Sequence, residues 1–561
     1  MEYGMFKKNF SGMNAAELVV RCLEAQKVSH VFGIPGAKVD PLMEALADGT
    51  PEFVVCRHEQ NAAFIAGGIG RMTGRPGVCL TTSGPGVSNL ATGLITATAE
   101  GHPVVALSGS VPSALENLDT HQTLDNVSLM RPVTKHAVSV RSADSVVSTM
   151  ANAFRASMAP RPGAAFVSLP YDIMLEEAGG RPVSTHAVPL SGPADHEGVL
   201  ELAQRISKAS LPVLLIGRGV SSPHATEALR ALLGAHPMPV VGTFEAAGAI
   251  PKELVHCFLG RVGLFKNQTG DQLLDRSDLI IALGFDEIEY DPELWCNEDT
   301  ADIIHVSPLA AQIREQYHPA MELIGDIGST LVQLANELGG AHSSMENDYV
   351  RGLVGQYREF VDCGGGHDKS GPVHPLRFIH DLHHVVDDET TVTCDIGSVY
   401  IWMSRYFLAY EPNRLLFSNG QQTLGVALPW AMAASLVRPG EKVISMSGDG
   451  GFLFSAMELE TAVRLKNNFV HVVWRDGTYD MVGIQQQLKY DRRFGDRFGE
   501  PDIVKFAEAF GASGMRISAP GDIIPVLREA LDTPGPVLVD MPVDYSDNMK
   551  LCEAVRTERQ H

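Results

Sequence analysis

Short apolar runs alternate with amphipathic helical patterns along almost the whole chain of 561 residues. Runs such as PVVALSGS at 103–110, PVLLIGRGV at 212–220 and EKVISMSG at 441–448 each end in a turn that contains glycine. Strands that are apolar on both faces and separated by helices are typical of parallel sheets covered by helices. The alternation therefore predicts an α/β fold of doubly wound parallel-sheet domains, in which ligands bind beyond the carboxyl ends of the strands.

Two polar stretches divide this pattern. The first, at 176–197, is rich in Gly, Pro and Ser, and the second begins at 339 and continues through a helical pattern to 375. Such stretches are typical of connections between domains. We predict three domains of ordinary size, with boundaries at 11–180, 195–342 and 370–548.

The charge balance and the cysteine pattern exclude several classes of partner and location. Lys and Arg number 44 against 67 Asp and Glu, and the net charge of −23 argues against a nucleic-acid partner. The eight cysteines include no C-x-x-C pair, which favours a reducing compartment, and the N-terminal segment shows no signal-peptide pattern. No apolar run reaches the roughly 18 residues that a membrane span needs. We expect a cytoplasmic protein without a membrane partner.

The segment SGDGG, at 447–451, places Asp449 between glycines at the end of an apolar run. A strand, a glycine-rich turn and a helix, here SAMELETAVRLK at 455–466, aim backbone N–H groups at a phosphate. An acid in such a turn indicates a cation held against the phosphate, and Mg²⁺ would need a second oxygen ligand nearby. Asp476 is the candidate because it follows the next strand-like run, FVHVVW. The alternative is a tight turn in which Asp449 caps the helix.

Two further segments permit more than one interpretation. Glu59, in CRHEQNAAF, could cap a helix or pair with Arg57, or it could be a functional acid. IGRGV, at 216–220, lacks the third glycine of the dinucleotide fingerprint and is therefore weak evidence for a nucleotide.

The combination and order of these motifs resemble the thiamine diphosphate-dependent decarboxylases and carboligases over about Asn14 to Asp547. SGDGG followed by a strand-end acid is similar to the family's diphosphate–Mg²⁺ motif, and RHEQNAAFIAGG is similar to its catalytic-glutamate segment. Other segments, FGIPGAKVD, SNGQQTLGVALPWA, GRVGLFKNQTGD and MPVDYSDN, most resemble the catabolic, flavin-independent acetolactate synthases. The resemblance implies a pyrimidine-binding first domain, a central domain without bound FAD, and a third domain that binds diphosphate and Mg²⁺.

The resemblance also implies which residues hold the cofactor. The metal ligands would be the side chains of Asp449 and Asp476 and the main-chain oxygen of Thr478, although most of the family has Asn where this chain has Asp476. Gln422 and Leu424 would grip the aminopyrimidine, and acetolactate synthases often have Met at the second of these positions. The other implied cofactor contacts are Gly397, Ser398, Gly448, Gly450, Gly451, Tyr479 and Met481.

The implied chemistry decarboxylates pyruvate and joins the remaining two-carbon unit to a second pyruvate, which gives 2-acetolactate and CO₂. Glu59 would hydrogen-bond a pyrimidine ring nitrogen and support general acid–base catalysis through the cofactor. His121 and Gln122 are implied to line the pocket for the acceptor substrate beside the cofactor, and Lys38 would contact a carboxylate. Gln485 stands where flavin-containing synthases have Trp, with the alternative that it merely continues a polar helix face with its two neighbours.

The resemblance further implies a homodimer or homotetramer with shared active sites, because family sites lie between the first domain of one subunit and the third domain of another. Two other functions stay open. One is another thiamine diphosphate-dependent enzyme of 2-keto acids, such as a pyruvate oxidase or an FAD-containing synthase. The other is a non-catalytic homologue, which the presence of Glu59, Asp449 and Asp476 disfavours.

Overall fold

The computed structural model describes residues 12–47, 49–184, 191–296, 301–339, 344–367 and 370–552, except for the side chain of Cys363. The chain divides into two compact units, Met1–Pro189 and Leu190–His561. The described residues form three six-stranded sheets, one in the first unit and two in the second, and every strand pair is parallel. The predicted α/β fold class is confirmed.

The first unit holds a sheet with the strand order β2-β1-β3-β4-β6-β5. Its strands are β1 His30–Gly33, β2 Glu52–Val55, β3 Gly77–Thr81, β4 Val104–Ser110, β5 His136–Ser139 and β6 Ala164–Pro170. Its helices are α1 Ala15–Ala25, α2 Asp40–Leu46, α3 Glu59–Thr73, α4 Pro85–Ala99, α5 Asn126–Met130, α6 Val146–Met158 and α7 Tyr171–Met174. Every residue of β4 and β6 is buried, as expected for strands covered by helices on both faces.

The second unit begins with the middle sheet, whose strand order is β12-β11-β10-β7-β8-β9. Its strands are β7 Pro212–Ile216, β8 Val240–Thr243, β9 Phe258–Val262, β10 Leu279–Leu283, β11 Asp302–Ser307 and β12 Met321–Ile324. The helices of this part are α8 His196–Lys208, α9 Pro223–Ala235, α10 Thr269–Leu274, α11 Pro292–Trp295, α12 Ile327–Glu337 and α13 Asp348–Val361. The buried guanidinium of Arg261 links this sheet to the next, because it donates to the carbonyls of Ser404 and Phe407, each at 2.8 Å.

The third sheet has the strand order β14-β13-β15-β16-β18-β17. Its strands are β13 Thr391–Cys394, β14 Leu415–Leu416, β15 Val443–Gly448, β16 Phe469–Arg475, β17 Ser513–Arg516 and β18 Pro536–Pro542. Its helices are α14 Pro375–His383, α15 Ser398–Tyr406, α16 Ala427–Val437, α17 Asp449–Leu453, α18 Leu459–Arg464, α19 Asp480–Tyr490, α20 Ile503–Ala509 and α21 Ile523–Asp532.

Strand order places a topological switch point in each sheet, where connections leave neighbouring strands in opposite directions. The switch points lie between β1 and β3, between β10 and β7, and between β13 and β15. The turns that follow β13 and β15 begin at Asp395 and Asp449, so the predicted phosphate turn lies at the switch point of the third sheet.

One local prediction was wrong. The sequence favoured a glycine-rich turn and then one helix over 455–466, whereas helix α17 already begins at Asp449 and the later segment splits into a 3₁₀ turn, Ala456–Glu458, and α18. Ser455 has φ −129°, which is not helical, and its hydroxyl donates to the carbonyl of Gly425. This tertiary contact breaks the helix that the local sequence favours.

Candidate active site

Asp449 lies at the first position of α17 and is 1% exposed. One carboxylate oxygen accepts from the N–H of Gly450 at 2.9 Å, and the other accepts from the N–H groups of Asp476 at 3.2 Å and Gly477 at 2.7 Å. Burial raises the pKa of Asp449, and these three N–H groups oppose the shift by stabilising the charged form. Gly448 is the residue that precedes the helix, so the alternative that Asp449 is the capping residue is wrong.

Asp476 follows β16, the strand next to β15, and its carboxylate accepts from the hydroxyl of Thr478. Burial, together with the negative charges of Asp449 and Asp480, raises the pKa of Asp476 to about 6, and the hydrogen bonds from Thr478 oppose the shift. No group of three or more His, Cys, Asp and Glu side chains able to hold a metal occurs in the described part of the chain. A divalent cation here would therefore be bound by two carboxylates together with main-chain, phosphate or water oxygens, which is the environment that Mg²⁺ prefers.

The glycine-rich turns around these acids leave room for a phosphate group. A Cβ on Gly450 would lie 2.5 Å from the ring of Tyr479, so glycine is required where the two turns meet. Gly397 precedes α15 with φ +128°, which favours glycine, and among the described residues other than its two chain neighbours no atom lies within 4 Å of where its Cβ would be. The hydroxyl of Ser398 donates to Asp480 at 2.8 Å, which ties the start of α15 to the start of α19. Paired acids beside open, backbone-lined turns fit a diphosphate and its cation.

The loop between β14 and α16 carries the two residues predicted to grip a pyrimidine ring. Gln422 is exposed and has φ +49°, a conformation that is uncommon for a residue with a side chain. Thr423 donates its N–H to the hydroxyl of Ser418 at 3.2 Å, and Leu424 is half-buried. Gly425 donates its N–H to both carboxylate oxygens of Asp395 at 3.0 Å. The loop is thus held by hydrogen bonds at Thr423 and Gly425, while Gln422 is exposed to solvent.

Glu59 lies at the first position of α3 in the first unit and is 7% exposed. The capping residue of α3 is His58, whose ring accepts from the N–H of Gln60 at 3.1 Å, so the alternative that Glu59 caps the helix is wrong. The amide of Asn89 donates to Glu59 Oε2 at 3.0 Å. The other carboxylate oxygen lies 3.3 Å from where a Cβ of Gly86 would be. Glu59 is therefore a buried acid held against the first turns of α4, the helix that follows β3.

Gln122 lies beside the turn that joins β3 to α4. Its carbonyl accepts from the hydroxyl of Ser83 at 2.9 Å, its φ is +62°, and its Cβ lies 3.3 Å from where a Cβ of Gly84 would be. His121 is exposed. Lys38 is 7% exposed, and its carbonyl packs against Gly109 of β4. The first unit thus gathers all four predicted residues at the carboxyl edge of its sheet, in the segments that follow β1, β2 and β4.

Gln485 and Met481 lie on α19, which starts beside the paired acids. Gln485 is exposed, and Met481 packs on the core of the third sheet. The neighbouring Gln486 and Gln487 hold the turn that follows α19, since Gln486 accepts from the N–H of Phe494 and Gln487 donates to Asp491, each at 2.7 Å.

Sequence reasoning missed three residues of this site: Asn89, Asp395 and Asp480. Asp395 and Asp480 carry the same signal as Asp449, since each acid directly follows a strand or a strand-end turn. Asn89 carries no local signal, because it reaches Glu59 only through the packing of α4 on α3.

Parallel sheets whose strands lead into glycine-rich turns with buried acids are typical of α/β proteins that bind a phosphorylated cofactor. Models of the thiamine pyrophosphate enzyme match the chain in three places: the N-terminal TPP binding domain over 13–129, the central domain over 199–334, and the C-terminal TPP binding domain over 395–541. Thiamine pyrophosphate is another name for thiamine diphosphate. The chain belongs to the thiamine pyrophosphate enzyme family. Each match falls inside one of the three predicted domains, whose exact boundaries stay predictions.

Several curated proteins are similar to the chain over nearly its whole length. The acetolactate synthase of Bacillus subtilis (strain 168) is 50% identical over 545 residues, which is 97% of this chain and 96% of that protein. The catabolic acetolactate synthase of Raoultella terrigena is 44% identical over 538 residues, 95% of this chain and 96% of that protein. The large subunit of acetolactate synthase isozyme 2 of Escherichia coli (strain K12) is 32% identical over 543 residues, 96% and 97% of the two chains. The predicted family and its acetolactate synthase branch are confirmed.

Proposed function

We propose that the chain is an acetolactate synthase that uses thiamine diphosphate and Mg²⁺ and needs no flavin. The observation that carries the proposal is the 50% identity to a bacterial acetolactate synthase from end to end, which spans Glu59 in the first unit and the paired acids in the second. In the proposed reaction, two pyruvate anions and one proton give one 2-acetolactate anion and one CO₂. The reaction consumes a proton, so the site must deliver one.

Asp449, Asp476 and the main-chain oxygen of Thr478 would hold Mg²⁺, and the turns at Gly397 and Gly450 would receive the diphosphate. When bound, thiamine diphosphate supplies a nucleophilic carbon and an electron sink for decarboxylation of a 2-keto acid. Two carboxylates against one divalent cation leave the bare metal site neutral, so the diphosphate would add negative charge that the surrounding N–H groups must compensate.

Glu59 would exchange a proton with a ring nitrogen of the aminopyrimidine. Its burial and its hydrogen bond from Asn89 fix the direction in which the carboxyl group points. A positioned carboxyl group that moves a proton contributes roughly 10²–10⁴-fold to turnover. Gln122, Lys38 and His121 would line the acceptor pocket around it.

Packing in the middle sheet supports a function without flavin. Dinucleotides bind at the switch point of such sheets, which here lies between β10 and β7. The turns after these two strands pack backbone to backbone: Gly219 donates its N–H to the carbonyl of Gly284 at 2.9 Å, and a Cβ on Gly219 would lie 2.6 Å from Gly284 Cα. The buried carboxylate of Glu289 then accepts from the N–H of Arg218 at 3.0 Å. A dinucleotide would have to separate these turns to enter.

Exposed apolar side chains support a homodimer or homotetramer with shared active sites. Leu453, Phe454 and Met457 follow the predicted phosphate turn and are 41%, 45% and 37% exposed. A cluster of large apolar side chains in contact with water is unfavourable for a monomer and typical of a surface that a partner covers. No helix in the described ranges is long and apolar enough to span a membrane. The seven cysteines described as free thiols support the proposed cytoplasmic location, because thiols stay reduced in that compartment.

The test is an assay of acetolactate formation from pyruvate after removal of metal and cofactor by a chelator and dialysis. We expect activity to return only when Mg²⁺ and thiamine diphosphate are added together, and the protein to be colourless throughout. Light scattering in the same buffer should give at least a dimer. A protein that binds flavin, or that releases CO₂ from pyruvate without forming acetolactate, would contradict the proposal and indicate another member of the family.

A further inference from the structure

The backbone of Gly425, directly after Leu424, is held at both its N–H and its carbonyl. Its N–H donates to both carboxylate oxygens of Asp395 at 3.0 Å, and its carbonyl accepts from the hydroxyl of Ser455. Both partners are 1% exposed. Because hydrogen bonds between buried groups have no competing water, this pair of contacts fixes the backbone that carries the side chain of Leu424.

The space at position 425 admits only glycine. Gly425 has φ +85°, and a Cβ there would lie 2.6 Å from Ser455 Oγ and 2.7 Å from Phe454 Cβ. The chain therefore brings the segment that follows α17 into direct contact with the loop before α16. The close approach leaves the loop little freedom to move relative to the phosphate turn.

Asp395 also contacts that turn. Its carboxylate carbon lies 3.1 Å from where a Cβ of Gly451 would be. Its hydrogen-bond donors are backbone N–H groups, including that of Ala427 at the start of α16. Burial raises the pKa of Asp395 to about 7. A buried acid costs free energy that a neutral side chain of similar size would avoid, which indicates a role beyond filling space.

We propose that Asp395 and Ser455 are positioning residues that set the distance between the loop before α16, which carries Gln422 and Leu424, and the phosphate turn at Gly450 and Gly451. This inference rests on the proposed function, because it assumes that thiamine diphosphate spans Gln422–Leu424 and Gly450–Gly451. Asp395 contacts both segments, at Gly425 and beside Gly451. Ser455 holds Gly425 through its carbonyl. Neither residue would touch the reacting atoms; both would act through Leu424.

The test compares two ligands that share only the diphosphate half. Titration calorimetry measures the binding of thiamine diphosphate and of inorganic diphosphate, each with Mg²⁺, to the full-length metal-free protein. Ser455→Ala removes the hydroxyl that holds the Gly425 carbonyl. We expect it to weaken thiamine diphosphate binding by about tenfold, the usual effect of one lost buried hydrogen bond, and to leave the affinity for inorganic diphosphate unchanged.

Ser277→Ala is the matched control, because Ser277 is also fully buried and its hydroxyl also donates to a carbonyl, that of Leu273 at 2.8 Å, in the middle domain. It should change neither affinity. Asp395→Asn keeps the size of the side chain and provides a second variant should Ser455→Ala fold poorly. We expect this variant to lose more affinity for thiamine diphosphate than for inorganic diphosphate, and to lower kcat at saturating cofactor.

Equal losses for both ligands in these variants would mean that the residues only stabilise the fold, and unchanged affinities would mean that they do not position the loop. Either result overturns the inference while the wild type still binds thiamine diphosphate. A wild type that binds inorganic diphosphate but not thiamine diphosphate would instead overturn the proposed function, so the two failures are distinguishable.

Discussion

The N–H of Asp476 donates to the carboxylate of Asp449 at 3.2 Å, although the two residues lie 27 positions apart in the chain. The contact exists because β15 and β16 are parallel neighbours, so that both acids leave the same edge of the sheet. It orients the Asp449 carboxylate, while the Asp476 side chain accepts from Thr478 at the same edge. The pair is the strongest structural argument for a cation in this site.

Removal of Asp449 should abolish metal-dependent activity. After chelation and dialysis, Asp449→Ala should not regain acetolactate formation at any Mg²⁺ concentration, because the diphosphate would face the protein without its bridging cation. Asp532→Ala, which removes an exposed acid at the end of α21, is the control and should recover like the wild type. Recovery of Asp449→Ala at high Mg²⁺ would show that Asp476 and main-chain oxygens suffice.

Replacement of Glu59 should separate binding from catalysis. Glu59→Gln keeps the shape of the side chain and can still accept from Asn89, so the fold and the affinity for thiamine diphosphate should stay near those of the wild type. Turnover should fall by about two to four orders of magnitude, the scale of lost acid–base help. Glu52→Gln, an exposed acid at the opposite end of the same sheet, should keep full turnover. Near-normal activity of Glu59→Gln would mean that another group moves the proton.

Much of the fold is readable in the sequence because the strands are short apolar runs, and some of them, such as β7, β10, β13 and β15, are directly followed by glycine or an acid. The paired acids followed from the same pattern, since β15 and β16 are consecutive in the chain and adjacent in the sheet. The helix break at Ser455 and the role of Asp395 could not be read, because both depend on Gly425, which lies 30 positions from each. Local propensity carries no information about such partners.

Acid stability should depend on His471, which is fully buried in β16. Its ring nitrogens lie 2.8 Å from the hydroxyls of Ser445 and Ser447, and burial lowers the pKa of His471 from 6.5 to about 3. The unfolded chain binds a proton below pH 6.5 and the folded chain does not, so the stability that this group contributes is present above pH 6.5 and is lost as the pH falls toward 3. The slope is about 1.4 kcal/mol per pH unit.

His471→Gln should therefore flatten the loss of stability between pH 6.5 and pH 5, although it lowers stability at pH 7.5 through poorer packing. The measurement is the urea concentration that unfolds half of the third domain, followed by tryptophan fluorescence at several pH values. His256→Gln, at an exposed position, should keep the pH dependence of the wild type. An unchanged slope in His471→Gln would locate the acid sensitivity in another group.

The choice of acceptor substrate should respond to Gln485. Flavin-containing synthases have Trp at the matching position, where an indole offers an apolar surface to the extra methyl group of 2-ketobutyrate, and Gln485 offers none. The wild type should therefore make acetolactate in clear excess over acetohydroxybutyrate when pyruvate and 2-ketobutyrate compete at equal concentration. Gln485→Trp should shift the product ratio toward acetohydroxybutyrate by about 10- to 100-fold, because one methylene group in an apolar pocket contributes about 1–3 kcal/mol. Lys489→Trp, one turn further along the exposed face of α19, controls for a non-specific effect of tryptophan. If both variants keep the wild-type ratio, Gln485 belongs to a polar helix face and not to the acceptor pocket.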